Sequence, residues 1–239
     1  MQPKLLYNAR YRMRLAISRN PAIYFSLLDL LNSPRRHLKV TKSTDIVIEG
    51  YPRSANTFAV AAFLFAQGKD ISIARHLHAP AQIIAAADLG IPAMVLIRNP
   101  KDAILSLLVR DPSLSAKNAI LHYIHFYESI YAYQKNFLLV NFQDVIRDYG
   151  SCIELLNKKF NTNFLTFKNT KENIKAVYRL IEKMDMDDRR QGAVSELTVA
   201  RPSEFREKIK QLRQNELYTN INAKLLRTAT SIYNEMSGG

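Results

Sequence analysis

The chain has 239 residues and a formal net charge of +13, and its length is enough for one sizeable hydrophobic core. Hydrophobic residues make up 47% of the chain and charged residues 23%, which is ordinary for a globular protein. A single cysteine, Cys152, excludes an intramolecular disulfide and any cysteine-based zinc cluster. The positive charge favours partners that are polyanions, such as nucleic acid, anionic lipid or a polyphosphorylated nucleotide. No linker-like or repetitive stretch divides the chain, so we expect one domain over residues 1–239.

The segment 1–40 is predicted to be helical, with breaks near Asn20-Pro21 and Ser33-Pro34. Five basic residues precede the first acidic residue, Asp29: Lys4, Arg10, Arg12, Arg14 and Arg19. Three interpretations stay open, namely a helix on a membrane surface, an organelle transit segment, or a basic amphipathic helix packed on the domain. No run of about 18 apolar residues indicates a membrane span. We therefore expect a cytoplasmic protein that is at most peripheral at a membrane.

Short hydrophobic strands alternate with helical segments over residues 45–160. Strands are predicted at 45–50, 71–77, 92–98 and 136–142, and helices at 56–67, 81–88, 102–110, 116–134 and 145–160. This alternation predicts a three-layer α/β/α architecture around a central parallel sheet, with a mostly helical region over 161–239. In such sheets ligands bind beyond the carboxyl ends of the strands.

The turn after the first predicted strand has the composition of an anion-binding loop. In the stretch GYPRSANT, Gly50 and Thr57 fall on the ends of the phosphate-binding pattern G-x-x-x-x-G-K-[ST], with Ala55 and Asn56 in place of its second glycine and its lysine. The following helix offers unpaired backbone N–H groups, and Arg53 offers a fixed charge. The alternative is a simple helix-capping turn with Arg53 facing water.

A second motif follows the third predicted strand: Arg98-Asn-Pro-Lys-Asp102, with Ser106 one helical turn later. Together, PRSANTF and this motif resemble the 5′-phosphosulfate loop and the 3′-phosphate motif of the sulfotransferase family. The resemblance covers about residues 45–160. It implies a P-loop-NTPase-like fold and 3′-phosphoadenosine 5′-phosphosulfate (PAPS) as co-substrate, with no obligatory metal. The residues it assigns to PAPS are Arg53, Ser54, Ala55, Asn56, Thr57, Phe58, Arg98 and Ser106.

The general base is expected in the stretch Arg75-His-Leu-His-Ala-Pro80. If this segment is extended, His76 and His78 face the same side. The family places a catalytic histidine before x-Pro, which implies His78 as the base, His76 as the reserve and Arg53 as the group stabilising the leaving phosphate. A metal site is not expected, because no cysteine and no nearby carboxylate accompanies the two histidines. His122 and His125 are interpreted as residues of a helix face.

The remaining expectations are less closely tied to family motifs. Phe142 lies near the position at which the family contacts adenine. Arg190 and Arg201 are alternative candidates for the C-terminal arginine that covers the 3′-phosphate. The sequence that follows Arg201 favours Arg201. His76 stands where the family often has a lysine.

Three functions stay open at this point. The favoured one is sulfuryl transfer from PAPS to a hydroxyl or amine of a small-molecule, lipid or carbohydrate acceptor. A small-molecule kinase is the second, although the lysine of the phosphate-binding pattern is missing. The third is a non-catalytic nucleotide or nucleic-acid binder, and nucleic acid is not expected because no stacking platform of aromatic and basic residues is visible.

Overall fold

The computed structural model describes residues 4–189 and 204–238. Its centre is a four-stranded sheet of β1 (Ile46–Gly50), β2 (Ile73–Arg75), β3 (Ala93–Ile97) and β4 (Leu138–Asn141). The strands lie in the order β2-β1-β3-β4, and every pair is parallel. The central pair, β1 and β3, runs in register from Val47 opposite Ala93 to Gly50 opposite Leu96. The carboxyl ends of these two strands are therefore adjacent.

Eleven α-helices surround the sheet in the described part of the chain. They are α1 (Lys4–Ile17), α2 (Pro21–Leu30), α3 (Asn56–Gln67), α4 (Pro80–Leu89), α5 (Pro100–Arg110), α6 (Ala116–Ile130), α7 (Phe142–Arg147), α8 (Tyr149–Phe160), α9 (Lys171–Arg189), α10 (Glu204–Arg213) and α11 (Asn220–Ser237). Short 3-10 turns cover Arg36–Leu38, Tyr131–Asn136 and Gln214–Tyr218.

Each face of the sheet carries its own hydrophobic core. Val47, Val95 and Ile97 lie on one face, in a cluster with side chains of α4, α5, α6 and α11. Ile48 and Leu96 lie on the other, with side chains of α3, α8 and α9. Strands that are buried on both faces have continuous hydrophobic sequences. Each fully buried aliphatic side chain stabilises the folded state by about 1.5–3 kcal/mol. The predicted α/β class, with a parallel sheet between two helical layers, is confirmed.

Several predicted boundaries are wrong. The strand expected over 71–77 is formed only by Ile73–Arg75, because the chain turns sharply after Arg75. The single helix expected over 145–160 is two helices, since the Asp148 side chain caps α8 by accepting a hydrogen bond from Ser151 N. The helix expected over 116–134 ends at Ile130 and continues as a 3-10 turn. Within the described ranges, no helix is both long enough and apolar enough to cross a bilayer.

Candidate functional site

The loop between β1 and α3 passes very close to β3. A Cβ atom on Gly50 would lie 2.3 Å from the carbonyl oxygen of Leu96, so only glycine fits at the end of β1. Arg53 and Ala55 then adopt left-handed backbone conformations, with φ of 72° and 71°. This conformation costs roughly 1–2 kcal/mol for a residue with a Cβ atom. Ala55 thus keeps the backbone shape that the glycine of the phosphate-binding pattern would provide, and strain of this kind is typical of ligand-binding loops.

The N-terminus of α3 opens directly from this loop. Its N-cap residue, Ala55, has no side chain that can cap the helix, and no side-chain cap bond is present. The amides of Asn56, Thr57 and Phe58 belong to the uncapped first turn, which carries the positive end of the helix dipole. Such a terminus binds anions.

Two polar side chains of the loop are directed inward. Asn56 Nδ2 donates to the Tyr51 carbonyl at 2.9 Å, so this amide holds the loop together. Ser54 is fully buried, and its hydroxyl makes no hydrogen bond of good geometry with the described residues, although it lies close to Tyr127. Phe58 is also buried, against Phe167 and Tyr178, and can offer a ligand only its backbone.

The two sequence motifs meet at the carboxyl ends of β1 and β3. Arg53 Nε donates to Ser106 Oγ at 3.0 Å, and Arg98 Nη1 donates to the Arg53 carbonyl at 3.1 Å. The Arg98 guanidinium stacks on the Phe142 ring, 4.0 Å from its centroid. Four predicted site residues that are up to 89 positions apart in sequence therefore form one cluster.

Arg98 is partly enclosed by this cluster. Burial lowers the pKa of its guanidinium, and the charges of Asp102 and Glu207 act in the opposite direction. Asp102 lies four residues after Arg98 and could have neutralised it as a structural partner, but the two side chains do not form an ion pair. A partly buried cation without a contacting carboxylate is a favourable binding group for an anionic ligand.

His78 lies beside the start of the same loop. Its Nδ1 atom is 2.8 Å from the Gly50 carbonyl oxygen and 3.2 Å from Glu49 Oε1. The Glu49 side chain is fully buried, and its other oxygen accepts hydrogen bonds from the backbone N–H groups of Leu77 and His78, at 2.8 and 3.0 Å. Glu49 thus binds both the backbone and the ring of His78.

The neighbours of Nδ1 determine which ring nitrogen of His78 carries a proton. Both the Gly50 carbonyl and the Glu49 carboxylate are acceptors, so Nδ1 is the donor. In the neutral ring Nε2 is then an acceptor and has a lone pair available for a proton. The imidazole side chain is 18% exposed, so a substrate atom can approach it.

Two sequence predictions about the histidine segment are wrong. His76 and His78 are not in an extended strand, because both have left-handed backbone conformations, with φ of 57° and 50°. A carboxylate does lie near them, since Glu49 contacts His78 across 29 residues of sequence. Glu49 gave no signal in the sequence beyond its place in a hydrophobic strand.

His76 differs from His78 in its surroundings. Its Nε2 atom is buried and has no hydrogen-bond partner among the described residues. Burial, followed by the charges of His78 and Arg75, lowers the pKa of His76 well below its ordinary value. His76 is therefore neutral, and its ring lies 5.9 Å from that of His78, centroid to centroid.

Tyrosine side chains of α6 hold the end of β3 in place beside the site. Tyr127 donates to the Leu96 carbonyl and Tyr123 to the Arg98 carbonyl, both at 2.8 Å. The Tyr51 ring packs edge-on against Tyr123, and its hydroxyl donates to the Ala119 carbonyl at 3.0 Å. No role was predicted for these tyrosines from the sequence, so their part in supporting the site was missed.

His122 also belongs to this support. It is fully buried, and burial lowers its pKa well below the ordinary value. Its Nε2–H donates to the His78 carbonyl at 3.0 Å, so its Nδ1 accepts from the Tyr11 hydroxyl at 2.6 Å. His122 does lie in a helix, as predicted, but its side chain is not simply part of a helix face, because it links α1 to the His78 segment.

Two predicted site residues, Arg190 and Arg201, lie outside the described residues. Among the residues that are described, no group of three or more histidine, cysteine or acidic side chains is arranged to hold a metal ion.

No protein-family model matches this chain, and no curated protein matches it in sequence. Among solved structures, the chain is similar to mouse sulfotransferase SULT7A1, solved in complex with PAP. The TM-score is 0.41 and the identity 12%, with 84% of this chain and 92% of that chain covered. Similarity at this level leaves the activity of this chain to be argued from its own residues.

Proposed function

We propose that this protein is a sulfotransferase that transfers the sulfuryl group of PAPS to a hydroxyl or amine acceptor. The observation that carries the proposal is the contact between the two motifs: Arg53 bonds to Ser106, and Arg98 bonds to the Arg53 carbonyl. This contact brings a strained loop with an uncapped helix N-terminus next to a second cluster that offers a guanidinium and a hydroxyl group, those of Arg98 and Ser106. A ligand with two separate phosphate positions fits such an arrangement.

The donor set matches the chemistry of PAPS. The first-turn amides of α3 and Arg53 suit the 5′-phosphosulfate, since they combine a helix terminus with a fixed positive charge. Arg98 and Ser106 suit the ribose 3′-phosphate. Phe142 offers a ring near the adenine position while it orients Arg98. Arg201 is proposed as a further contact from outside the described residues.

His78 is proposed as the general base. Its Nε2 would accept the proton of the acceptor hydroxyl or amine as the acceptor oxygen or nitrogen bonds to sulfur. The bond between sulfur and the 5′-phosphate oxygen breaks, and adenosine 3′,5′-bisphosphate leaves with that electron pair. Arg53 and the loop amides would stabilise the negative charge on this leaving group. Because positioned donors need no rearrangement during the reaction, most of the catalysis is expected from them.

Glu49 is proposed as the positioning residue of the base. Its carboxylate fixes the backbone that carries His78 and faces the ring nitrogen that must stay protonated. When Nε2 takes the substrate proton, the ring becomes a cation, and the buried carboxylate 3.2 Å away stabilises it. Carboxylate–imidazole pairs perform this task in other acid–base sites.

The direct test is calorimetric titration with adenosine 3′,5′-bisphosphate, beside AMP and ATP, without magnesium. We expect micromolar affinity for the bisphosphate and much weaker binding of AMP, which lacks the 3′-phosphate. Transfer from PAPS to a panel of phenols, steroids, lipids and sugars then identifies the acceptor class. A preference for magnesium-ATP would favour the kinase instead, and tighter binding of RNA or DNA than of the bisphosphate would favour a nucleic-acid binder.

A further inference from the structure

The outward face of α1 is apolar along its centre. Leu5, Ala9, Met13 and Ala16 recur at helical spacing and lie on one face, with Leu6 beside them. Leu5 is 84% exposed and Met13 is 65% exposed. Single exposed hydrophobic residues are common, but an exposed apolar stripe along a whole helix indicates an interaction surface.

Arginines border this stripe on both sides. The 100° rotation per residue of a helix places Arg12 along one edge and Arg10 along the other. Arg19 follows in the turn just after the end of α1. None of the three forms an ion pair within residues 4–189 and 204–238. Helix α1 contains no acidic residue, so its outward face is uniformly positive at the edges.

The inward face of α1 is firmly attached to the domain. Tyr7 donates to Asp111, Tyr11 donates to His122, and Leu15 is buried. The exposed stripe is therefore presented by a helix that already has its intramolecular partners.

A groove runs along the edge of α1 on the side of Arg12. It encloses about 590 Å³ between α1 and the segment joining α5 to α6. Lys4, Arg12 and Lys117 line it, together with Ser113, Ser115 and Asn118, and Leu5 and Ala9 of the apolar stripe form part of its wall. Arg213 and Glu216 complete its wall and pair with each other. Three cations not paired with a carboxylate, beside hydroxyl groups, suit a phosphate-containing head group.

We infer that α1 docks on a membrane surface rich in anionic phospholipids. Leu5, Leu6 and Met13 enter the boundary between head groups and acyl chains, and the flanking arginines contact the head groups. Helices with an apolar stripe between cationic edges bind interfaces in this way. The inference goes beyond the proposed transfer reaction and does not depend on it.

Docking has a consequence for the candidate site. Tyr11 on the inward face of α1 reaches His122, and His122 in turn bonds to the His78 carbonyl. The site would lie behind α1, separated from the membrane by roughly one helix diameter of about 10–12 Å.

The test is sedimentation of the full-length protein with vesicles of phosphatidylcholine alone and with added phosphatidylglycerol. We expect binding only to the anionic vesicles. Each of Arg10→Gln, Arg12→Gln and Arg19→Gln is expected to weaken it about fivefold. The double variant Leu5→Glu, Met13→Glu is expected to abolish binding. Neither readout requires catalytic activity.

The matched controls are on α8, where Leu155 is 56% exposed and Lys158 is exposed. Leu155→Glu and Lys158→Gln make the same chemical changes on another helix, and both are expected to bind as the wild type does. Circular dichroism confirms that each variant is folded.

Three results would overturn the inference. One is a lack of binding to anionic vesicles. Another is an equal loss in the α1 and α8 variants, which would indicate general electrostatic adsorption. The third is full binding by the folded Leu5→Glu, Met13→Glu variant, which would show that the apolar stripe does not enter the membrane.

Discussion

Glu49 Oε1 lies 3.2 Å from His78 Nδ1, while Glu49 Oε2 accepts hydrogen bonds from the backbone N–H groups of Leu77 and His78. A single buried carboxylate at the end of β1 therefore controls both the path of the chain and the orientation of the imidazole. The left-handed backbone at His78, with φ of 50°, is held by these bonds. This relationship leads to the first two predictions.

Replacing the proposed base should separate donor binding from transfer. We expect His78→Ala to bind adenosine 3′,5′-bisphosphate within about threefold of the wild type and to lose about 10²–10⁴-fold in kcat, because proton removal contributes that much. The measurements are calorimetry and the initial rate of transfer from PAPS. Full activity of this variant would show that another group takes the proton. His37→Ala, an exposed position on a 3-10 turn, is the control.

Removing the charge of Glu49 should slow transfer without weakening donor binding. Glu49→Gln keeps the shape and one acceptor oxygen, but it cannot stabilise a cationic imidazole. We expect kcat to fall about 10–100-fold, with KM and bisphosphate affinity within about threefold. Equal losses in kcat and in bisphosphate affinity would mean that Glu49 only maintains the loop.

A second substitution of Glu49 measures how much this residue contributes to the stability of the fold. Glu49→Leu leaves the buried N–H groups of Leu77 and His78 without acceptors, at a cost of about 2–6 kcal/mol. Urea unfolding should show that loss for Glu49→Leu and a much smaller one for Glu49→Gln. If both variants are as stable as the wild type, the hydrogen bonds to Glu49 contribute little.

Arg98 should distinguish nucleotides with a 3′-phosphate from those without one. We expect Arg98→Ala to weaken bisphosphate binding about 10–100-fold, since hydrogen bonds to charged groups are worth about 1.5–3 kcal/mol, and to change AMP binding little. Arg98→Lys tests whether charge alone is enough, because lysine has no planar guanidinium to contact the Phe142 ring. Arg147→Ala, whose side chain is 81% exposed, is the control. Equal losses for both nucleotides would make Arg98 a structural residue.

The strain at Ala55 should be measurable as stability. An alanine in the left-handed conformation destabilises the fold by roughly 1–2 kcal/mol, and replacing it with glycine removes this strain. Glycine also has greater conformational freedom in the unfolded chain, which offsets part of the stabilisation. We expect Ala55→Gly to raise the free energy of unfolding by about 0.5–1 kcal/mol. Ala16→Gly, in the exposed face of α1, should instead lower it by about 1 kcal/mol. A destabilised Ala55→Gly variant would contradict the strained loop.

Acidification should destabilise the fold through its buried histidines. Burial lowers the pKa of His76 and His122 well below the ordinary value of 6.5. Below pH 6.5 these histidines bind protons in the unfolded chain but stay neutral in the folded one. The free energy of unfolding therefore decreases as the pH falls below 6.5, and it is fully retained above pH 6.5. We expect a slope of up to about 1.4 kcal/mol per pH unit for each histidine between about pH 6.5 and pH 5. Urea unfolding at several pH values should show a reduced slope in His122→Gln and an unchanged slope in His37→Gln.

The sheet and the two motifs were predictable because their signals are local. Hydrophobic runs such as Ile46–Gly50 and Ala93–Ile97 mark strands buried on both faces. The loop after Gly50 and the motif from Arg98 to Ser106 follow those strands directly, and parallel strands bring their carboxyl ends to one edge. The proximity of Arg53 and Ser106 follows from that topology once the strand order is known.

Other features depended on contacts between distant segments. The pairing of Glu49 with His78, the link from Tyr11 through His122 to the His78 carbonyl, and the stacking of Arg98 on Phe142 each join side chains at least 29 positions apart. Sequence periodicity indicates which face of a helix or strand is buried, but it does not indicate which polar groups of distant segments contact that face. The left-handed turn at His78 was missed for the same reason, since the hydrogen bonds that the Leu77 and His78 N–H groups donate to Glu49 outweigh the local preference for an extended chain.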